Sequence, residues 1–342
     1  MAEITFRDAS LIGDYKLPYI IAEINSSHNG NVETAKEMIV KAKECGCSCV
    51  KFQSWSAESL YSRSYYKDNS IAERIVKKFS MSGEELRGLA RYCKEVGISF
   101  SSTPYAPKEV DELLDCNAPY IKIASMDINN EPFLRYIGET GAPVILSTGM
   151  AEIDEVRRAV EIIKRTGNES LALLHCISIY PAEASTIHLN NILMLRHEFP
   201  ECPIGFSDHT LGTEIASAAT ALGAAIIEKH FTLDKTKMGM DNNMAIEPVE
   251  MACLVRNCRN VFEAMGSYER IVSPAEYEQR KKMRRSVIAT KALTTGTMLT
   301  VDVLGAKRPG DGIPVDELDS LIGRRLKHDV EADTLIYYND LD

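Results

Sequence analysis

The sequence lacks an excess of basic residues. Its 342 residues include 39 Lys and Arg against 49 Asp and Glu, a formal net charge of −10. A surface that binds nucleic-acid phosphates or anionic lipids normally carries more positive than negative charge. The composition therefore argues against nucleic acid or a membrane surface as the main partner, although a local group of lysines could still hold a small anion.

Long apolar segments are also missing. No run reaches the roughly 18 uncharged apolar residues of a membrane span. The N-terminal sequence MAEITFRDASLIGDYKLPYI carries acidic side chains where a signal peptide has its apolar segment. With 45% hydrophobic and 26% charged residues, the composition is that of a soluble globular chain, and we expect a cytoplasmic protein.

The sequence contains nine cysteines, but no two of them have the CxxC spacing of metal ligands. Cys45, Cys47 and Cys49 alternate in KECGCSCV, and no CxxC spacing follows them. Because thiolate metal sites need such spacing, we interpret these residues as the start of a strand. The nine cysteines are expected to be reduced and mostly buried.

Eight short apolar runs recur along the chain, and each ends in polar residues. They are YIIAEIN (19–25), CSCVKFQ (47–53), ISFSSTP (98–104), YIKIAS (120–125), PVILSTG (143–149), LALLHCIS (171–178), IGFSDH (204–209) and AIIEKHF (225–231). Between them, VETAKEMIVKAKECG, EIDEVRRAVEIIKRTG and GTEIASAATALGA place apolar residues at helical spacing. Alternating strands and helices predict a parallel sheet covered by helices. Eight units, with no GxGxxG after the first run, favour an α/β fold of the (β/α)8 TIM barrel type over a doubly wound sheet.

The composition changes in the last part of the chain. SYERIVSPAEYEQRKKMRRS is polar and charge-rich, and the residues after it form short β-type runs separated by Gly and Pro turns. We predict a barrel domain over 1–270, a linker over 271–283 and a small, mostly-β domain over 284–342.

Polar residues gather at the carboxyl ends of the predicted strands, where barrel enzymes carry their active sites. Alternate residues of a barrel strand point inward, so Glu228 and His230 should face the lumen while Lys229 faces the helices. The same rule pairs Glu23 with Asn25, Lys51 with Gln53, and Ser207 with His209.

Two histidines and two lysines stand out among these strand ends. His209 and His230 end neighbouring strands and could share a divalent metal with Glu23 or Asp241, or could simply be hydrogen-bonded histidines. Lys51 and Lys122 suit a phosphate or carboxylate, together with the hydroxyls of Thr103, Ser125, Ser147 and Ser207. Lys122 as a Schiff-base lysine, or both lysines as partners of Glu23 and Glu228, are the alternatives.

The strand-end motifs, in order, resemble the sialic acid synthase family. They are IAEINSSHNGN, VKFQS, SSTPY, YIKIAS, LSTGMA, LLHCISIYP, GFSDHTLG and IIEKHFTLDK, followed by RRSVIATKAL and KRPGDGI. The resemblance implies a barrel followed by an antifreeze-like (SAF) domain. It also implies a transferase that joins phosphoenolpyruvate, an N-acetylated hexosamine similar to N-acetylmannosamine, and water into a nine-carbon 2-keto acid and phosphate.

The resemblance also implies roles for individual residues. His209 and His230 match the ligands of a divalent metal, usually Mn²⁺, with Mg²⁺ or Co²⁺ as alternatives, and His230 counts with Glu23 and Asp127 among the catalytic residues. Phosphoenolpyruvate would be bound by Lys51, Gln53, Thr103, Lys122, Ser125, Ser147 and Ser207. The sugar would be bound by Ser178, Tyr180, Glu228, Asp241 and, from the other subunit of a domain-swapped homodimer, Arg308.

The chain departs from the family pattern at the expected sugar site. Asp127 stands where a Glu is common, Ser178 where relatives have Asn or Thr, and Met240, Asn242 and Ala245 replace Pro, His and Ser. The sugar, and so the choice among neuraminic, legionaminic, pseudaminic or another acid, is left open by these changes. The alternatives to a synthase are a Schiff-base aldolase acting through Lys122 and a non-catalytic homologue that binds sugar acids.

Overall fold

The computed structural model describes residues 1–342 and divides into two compact units, residues 1–266 and 267–342. The first unit begins with a short antiparallel hairpin of β1 (Glu3–Thr5) and β2 (Leu11–Gly13). Ile4, Phe6 and Ile12 of this hairpin pack on the inward-facing apolar residues of the main sheet. The hairpin therefore closes the amino-terminal end of that sheet with an apolar plug.

The main sheet has eight parallel strands and confirms the predicted barrel. Its strands are β3 (Tyr19–Glu23), β4 (Cys49–Gln53), β5 (Ser99–Thr103), β6 (Ile121–Ile123), β7 (Val144–Ser147), β8 (Leu171–Cys176), β9 (Ile204–Asp208) and β10 (Ile226–His230). Their order is β5-β4-β3-β10-β9-β8-β7-β6, so the first and last barrel strands pair. The ladder is interrupted only between β5 and β6, where the Ser101 hydroxyl donates to the Tyr120 carbonyl at 3.0 Å.

Helices alternate with these strands as predicted. They are α1 (Val32–Glu44), α2 (Ala57–Leu60), α3 (Arg63–Asp68), α4 (Ser70–Phe79), α5 (Gly83–Val96), α6 (Pro107–Asp115), α7 (Glu131–Glu139), α8 (Ile153–Arg165), α9 (Ala184–Ile187), α10 (Asn190–Glu198), α11 (Glu214–Ala221) and α12 (Pro248–Met265). Gly46 (φ +88°) and Gly167 (φ +89°) follow α1 and α8, where a left-handed residue ends a helix without the steric cost of a Cβ.

Two local features differ from the sequence analysis. Cys45 caps the end of α1 and the strand begins only at Cys49, so the expectation that Cys45, Cys47 and Cys49 start one strand is wrong. The chain between β4 and α5 also forms three short helices, α2 to α4, that the strand and helix rhythm did not predict. None of the helices combines the length and the apolar character needed to cross a bilayer.

The second unit is small and has its own apolar core. It contains α13 (Pro274–Met283), β11 (Ser286–Ala289), β12 (Leu304–Lys307), α14 (Leu318–Leu321) and β13 (Thr334–Leu335). The strands form an antiparallel sheet in the order β12-β11-β13. Val287, Leu299 and Ile336 are among the buried residues of its core. The predicted linker, 271–283, thus includes a helix of this unit.

Candidate active site

A cavity of about 370 Å³ opens at the carboxyl ends of the barrel strands. Side chains predicted from the sequence form much of its wall. They are Glu23, Lys51, Gln53, Thr103, Lys122, Ser125, Ser147, Ser178, Tyr180, Ser207, His209, Glu228, His230 and Asp241. Because all of these lie within a strand or follow one, the parallel sheet brings together residues far apart in the sequence.

Lys51 lies on the floor of the cavity between two carboxylates. Its ammonium pairs with Glu23 and lies 3.6 Å from Oε2 of Glu228, and it also donates to the Thr103 hydroxyl at 3.0 Å. Burial alone would lower the pKa of Lys51, but the two carboxylates raise it above its usual value. Lys51 is therefore charged, and the carboxylates of Glu23 and Glu228 already balance its charge.

Lys122 has a different set of partners. Its ammonium donates to the Ser147 hydroxyl at 2.7 Å and to the Ile123 carbonyl at 2.9 Å, and no carboxylate lies within 4.0 Å of it. Burial lowers the pKa of Lys122, although the charge of Glu228 opposes this effect. A bound anion would stabilise the charged form, so Lys122 is the lysine in this cavity that is free to bind one.

The two carboxyl groups beside Lys51 are held in different protonation ranges. Burial raises the pKa of Glu23 to about 7, against the opposing effect of Lys51. Burial would also raise the pKa of Glu228, but the charges of Lys51 and Lys122 hold it below its ordinary value, and the Ser207 hydroxyl donates to it at 2.9 Å. Glu23 thus suits proton transfer near neutral pH, while Glu228 stays ionised.

His209 and His230 face each other across the same cavity. Their ring centroids are 5.4 Å apart, and Tyr180 lies over His209 with a centroid distance of 4.3 Å. The Nδ1 of His209 donates to the Ile177 carbonyl at 2.7 Å, which leaves Nε2 as an acceptor. Burial lowers the pKa of both rings, so both are neutral and able to ligate a metal.

The donor set fits a divalent cation held by two imidazoles. The hydrogen bond from His209 Nδ1 to a carbonyl is the support that metal-ligating histidines commonly have. No group of three or more His, Cys, Asp or Glu side chains is arranged to hold an ion by protein atoms alone. Asp241 hydrogen-bonds Asn25, and its Oδ2 is 4.0 Å from His230 Nδ1. A cation here would therefore take its other ligands from substrate or water.

Asp127 does not line the cavity, whereas its neighbours Ser125 and Met126 do. Ser125–Asp127 form a turn of 3-10 helix, whose three side chains point in three directions about 120° apart, so they cannot all face the cavity. The Asp127 carboxylate instead accepts a hydrogen bond from Asn130 at 3.1 Å. Its other oxygen is buried without a hydrogen-bond partner. Asp127 thus lies beside the cavity without lining it, and its catalytic role stays a prediction.

Arg308 lies in the second unit, directly after β12, and is exposed. The loop that carries it is fixed by Ser286, whose hydroxyl donates to the Pro309 carbonyl at 2.8 Å and accepts from the Gly312 N–H at 2.9 Å. These two hydrogen bonds hold the loop in place, and the Arg308 side chain is exposed on it.

Several cavity residues escaped the sequence reasoning. The Tyr105 hydroxyl donates to Gln53 at 2.9 Å, and Gln53 in turn donates to Glu23 at 3.1 Å. Tyr105 lies just after β5, so its position was a usable signal. Trp55 follows β4 by the same two residues and carried the same signal. Tyr61, by contrast, reaches the cavity from the unpredicted excursion that contains α2 to α4, and no strand-end rule finds it.

The outward face of the same strands carries a buried ion pair. Lys229 is fully buried, and its ammonium lies 2.7 Å from Asp208 Oδ2 and 2.5 Å from the Thr210 carbonyl. The predicted outward direction of Lys229 is thus confirmed. Because Asp208 and Lys229 directly precede His209 and His230, this pair fixes the strand ends that carry both imidazoles.

Models of known protein families match both units of the chain. The NeuB family model matches residues 38–270, and the SAF domain model matches residues 284–342. The chain is 36% identical to the N-acetylneuraminate-9-phosphate synthase of Homo sapiens, over 93% of this chain and 91% of that protein. It is 35% identical to the N,N'-diacetyllegionaminic acid synthase of Legionella pneumophila, over 95% of this chain and 94% of that protein.

The fold also matches that of a solved structure. The N-acetylneuraminic acid (sialic acid) synthetase of Leptospira borgpetersenii, in complex with citrate, superposes with a TM-score of 0.74 at 34% identity. The match covers 81% of this chain and 94% of that chain.

Proposed function

The chain belongs to the NeuB family of sialic acid synthases, and from this premise we propose that it joins phosphoenolpyruvate, an N-acylated hexosamine and water into a nine-carbon 2-keto acid and phosphate. The observation that carries the proposal is one cavity in which an unpaired ammonium, Lys122, lies with two facing imidazoles, His209 and His230. The enol phosphate needs the ammonium as a partner for its negative charge. A metal that holds the aldehyde electrophile needs the two imidazoles as ligands.

Lys122 and the surrounding hydroxyls bind the anionic ends of phosphoenolpyruvate in this proposal. The hydroxyls come from Thr103, Ser125, Ser147 and Ser207, all of which line the cavity. Gly149 keeps this wall tightly packed, since a Cβ at that position would lie 2.3 Å from the Ser178 hydroxyl and 2.9 Å from that of Ser125. Fixed donors and a single unpaired cation orient the enol without reorganisation during the reaction.

The reaction forms one bond between carbon atoms. C3 of the enol attacks C1 of the open-chain sugar aldehyde, whose oxygen takes up a proton. Water adds to C2, and Glu23 is placed to take its proton because it lies on the cavity floor with a pKa near neutrality. The tetrahedral carbon then expels phosphate by cleavage of the C–O bond, which leaves the 2-keto group.

His209 and His230 would hold a divalent cation, for which we propose Mn²⁺, with Mg²⁺ or Co²⁺ as alternatives. When bound, the ion supplies Lewis-acid polarisation of the sugar aldehyde. Tyr180 and Asp241 line the cavity beside the imidazoles and would orient the sugar there. The proposal gives Asp127 no direct role.

We further propose a cytoplasmic homodimer in which Arg308 of one subunit reaches the sugar site of the other. Support comes from the membership of the family and from the exposed, rigidly held position of Arg308. The names of the relatives differ in whether the product carries a phosphate, so they leave the phosphorylation of the sugar open.

The proposed function is tested by following phosphate release from phosphoenolpyruvate with Mn²⁺ and a panel of N-acylated hexosamines. We expect release that depends on the sugar, a product with the mass of a nine-carbon keto acid, and loss of activity on chelation that added Mn²⁺ restores. Absence of release with every sugar would refute the synthase and favour a non-catalytic binding protein.

One observation favours the Schiff-base alternative enough to test it. Burial lowers the pKa of Lys122, as an imine-forming lysine requires. Borohydride reduction in the presence of pyruvate would attach a three-carbon unit to Lys122 if the protein were such an aldolase. The synthase mechanism predicts no adduct, because Lys122 acts there as a charged donor.

A further inference from the structure

The cavity changes its chemistry from floor to rim. Its floor holds buried lysines, carboxylates and hydroxyls, whereas side chains at its opening are apolar. We call Met126, Met150 and Met240 the methionine rim; they line the cavity together with Leu60 and Tyr61. The three methionines come from three separate loops, after β6, β7 and β10. Their convergence on one opening is therefore a property of the fold and not of one local sequence.

The methionine rim is exposed to an extent that packing does not explain. The exposed fractions are 52% for Met126, 71% for Met150 and 39% for Met240. Met150 also has a φ of +63°, a left-handed conformation that a side chain with a Cβ rarely adopts. An apolar residue that is both strained and exposed gains little for the folded state, and at the opening of a cavity this points to contact with a ligand.

Positive charge is missing from the rim. Lys51 and Lys122 are the only Lys or Arg side chains that line the cavity, and both are buried on the floor. Lys51 is matched by Glu23 and Glu228, and the proposed function uses Lys122 for phosphoenolpyruvate. A second phosphate group at the opening would find no cation in the barrel.

An unpartnered acceptor also lines this cavity. The side-chain oxygen of Asn25 is buried and has no hydrogen-bond partner, while its amide nitrogen donates to Asp241. Such an acceptor needs a donor, because a buried polar atom without a partner is costly. The hydroxyls and acetamido N–H group of an N-acylated hexosamine can supply this donor.

We propose that the site takes an unphosphorylated N-acylated hexosamine and discriminates against hexosamine 6-phosphates. The proposal rests on the proposed function, which places the sugar aldehyde at His209 and His230. The far end of the open chain, C6, then points to the opening, where a 6-phosphate would meet the methionine rim. Methyl groups of the acyl substituents, by contrast, suit the flexible and polarisable thioethers.

The test compares kcat/KM at saturating phosphoenolpyruvate and Mn²⁺ for three sugars: N-acetylmannosamine, its 6-phosphate, and a 2,4-diacetamido-2,4,6-trideoxyhexose. We expect the better of the two unphosphorylated sugars to exceed the 6-phosphate at least tenfold. A preference for the 6-phosphate would overturn this inference and leave the synthase function intact. Absence of product with all three sugars would instead refute the proposed function and the inference with it.

A variant places the missing charge at the rim. Met126→Lys should raise kcat/KM for the 6-phosphate relative to the unphosphorylated sugar at least fivefold, because the new ammonium can pair with the phosphate. Met265→Lys, at the exposed end of α12 and outside the cavity, is the matched control and should leave this ratio unchanged. An unchanged ratio in both Met126→Lys and Met150→Lys would contradict a selective role of the rim.

Arg308 provides a third comparison, since a guanidinium from the partner subunit could in principle bind a 6-phosphate. The inference predicts that Arg308→Ala lowers kcat/KM for the unphosphorylated sugar at least as much as for the 6-phosphate. A loss confined to the 6-phosphate would show that the second unit supplies the missing cation, and it would overturn the inference.

Discussion

At the scale of single residues, the two buried lysines show how partners decide function. Lys51 and Lys122 look equivalent in the sequence, since each lies inside a strand that ends in polar residues. In the structure Lys51 pairs with Glu23 and lies near Glu228, whereas Lys122 has only a hydroxyl and a carbonyl as partners. The first lysine balances charge within the protein, and the second is available to an anionic substrate.

This difference predicts the result of removing Lys122. Lys122→Met should lower kcat/KM for phosphoenolpyruvate by roughly 10- to 100-fold, the loss expected for a charge-assisted hydrogen bond of about 1.5–3 kcal/mol. Steady-state kinetics with varied phosphoenolpyruvate would measure it. Lys108→Met, at an exposed lysine on α6, is the control and should behave as the unmodified protein. Equal kinetics of both variants would show that Lys122 does not bind the substrate.

At the scale of secondary-structure elements, the ends of β9 and β10 are held from behind. Asp208 and Lys229 form a fully buried ion pair on the outer face of the strands, while His209 and Glu228 point into the cavity. Asp208 Oδ1 also accepts hydrogen bonds from the backbone and the hydroxyl of Thr210, so both oxygens of this carboxylate have partners. Because the charged groups on the outer face already have partners, the side chains on the inner face remain available for a substrate.

Breaking this pair should destabilise the barrel. Lys229→Met leaves the Asp208 carboxylate buried without its cation, and we expect a loss of about 3–5 kcal/mol in the free energy of unfolding. Denaturant unfolding measures it, and Asp208→Asn combined with Lys229→Met should recover part of the loss.

Lys77→Met is the control for the loss of an ion pair, since Lys77 pairs with Glu73 on the surface of α4. Its effect should stay below about 1 kcal/mol. A similar small effect for Lys229→Met would show that the buried pair contributes little.

The strand ends were predictable from the sequence because a parallel barrel gives them a common rule. Period-two alternation separated Glu228 and His230 from Lys229, and the structure agrees. The same rule does not extend beyond the strands. Asp127 lies in a 3-10 turn, where period-two alternation does not apply, and Tyr61 comes from an excursion with no strand to fix its direction.

The methionine rim could not be predicted from the sequence either. Met240 stood out as a departure from the family pattern, but nothing in the sequence placed it beside Met126 and Met150. Their proximity depends on how three loops fold over one opening, and loop conformation follows tertiary contacts more than local pattern.

At the scale of the whole molecule, the proposed dimer makes each site depend on two chains. If Arg308 acts across subunits, then Arg308→Ala and Lys122→Met damage different parts of one site. Co-expression of the two variants should yield heterodimers in which one site has an intact barrel and an intact partner arginine.

Co-expression should restore part of the activity. Random pairing makes half of the dimers mixed, each with one intact site of two, so the mixture should reach about one quarter of the unmodified activity. Each variant expressed alone should remain far below this value. No gain on co-expression, for a protein that sediments as a dimer, would indicate that Arg308 serves its own chain or no site at all.

The most direct measurement of the central claim uses phosphoenolpyruvate labelled with ¹⁸O in the oxygen that bridges C2 and phosphorus. The protein is incubated with this substrate, Mn²⁺ and an unphosphorylated N-acylated hexosamine, and both products are analysed by mass spectrometry. Condensation in the barrel cavity with C–O cleavage predicts a nine-carbon keto acid without the label and phosphate that carries it. Label retained in the keto acid, or phosphate release without a nine-carbon product, would contradict the account.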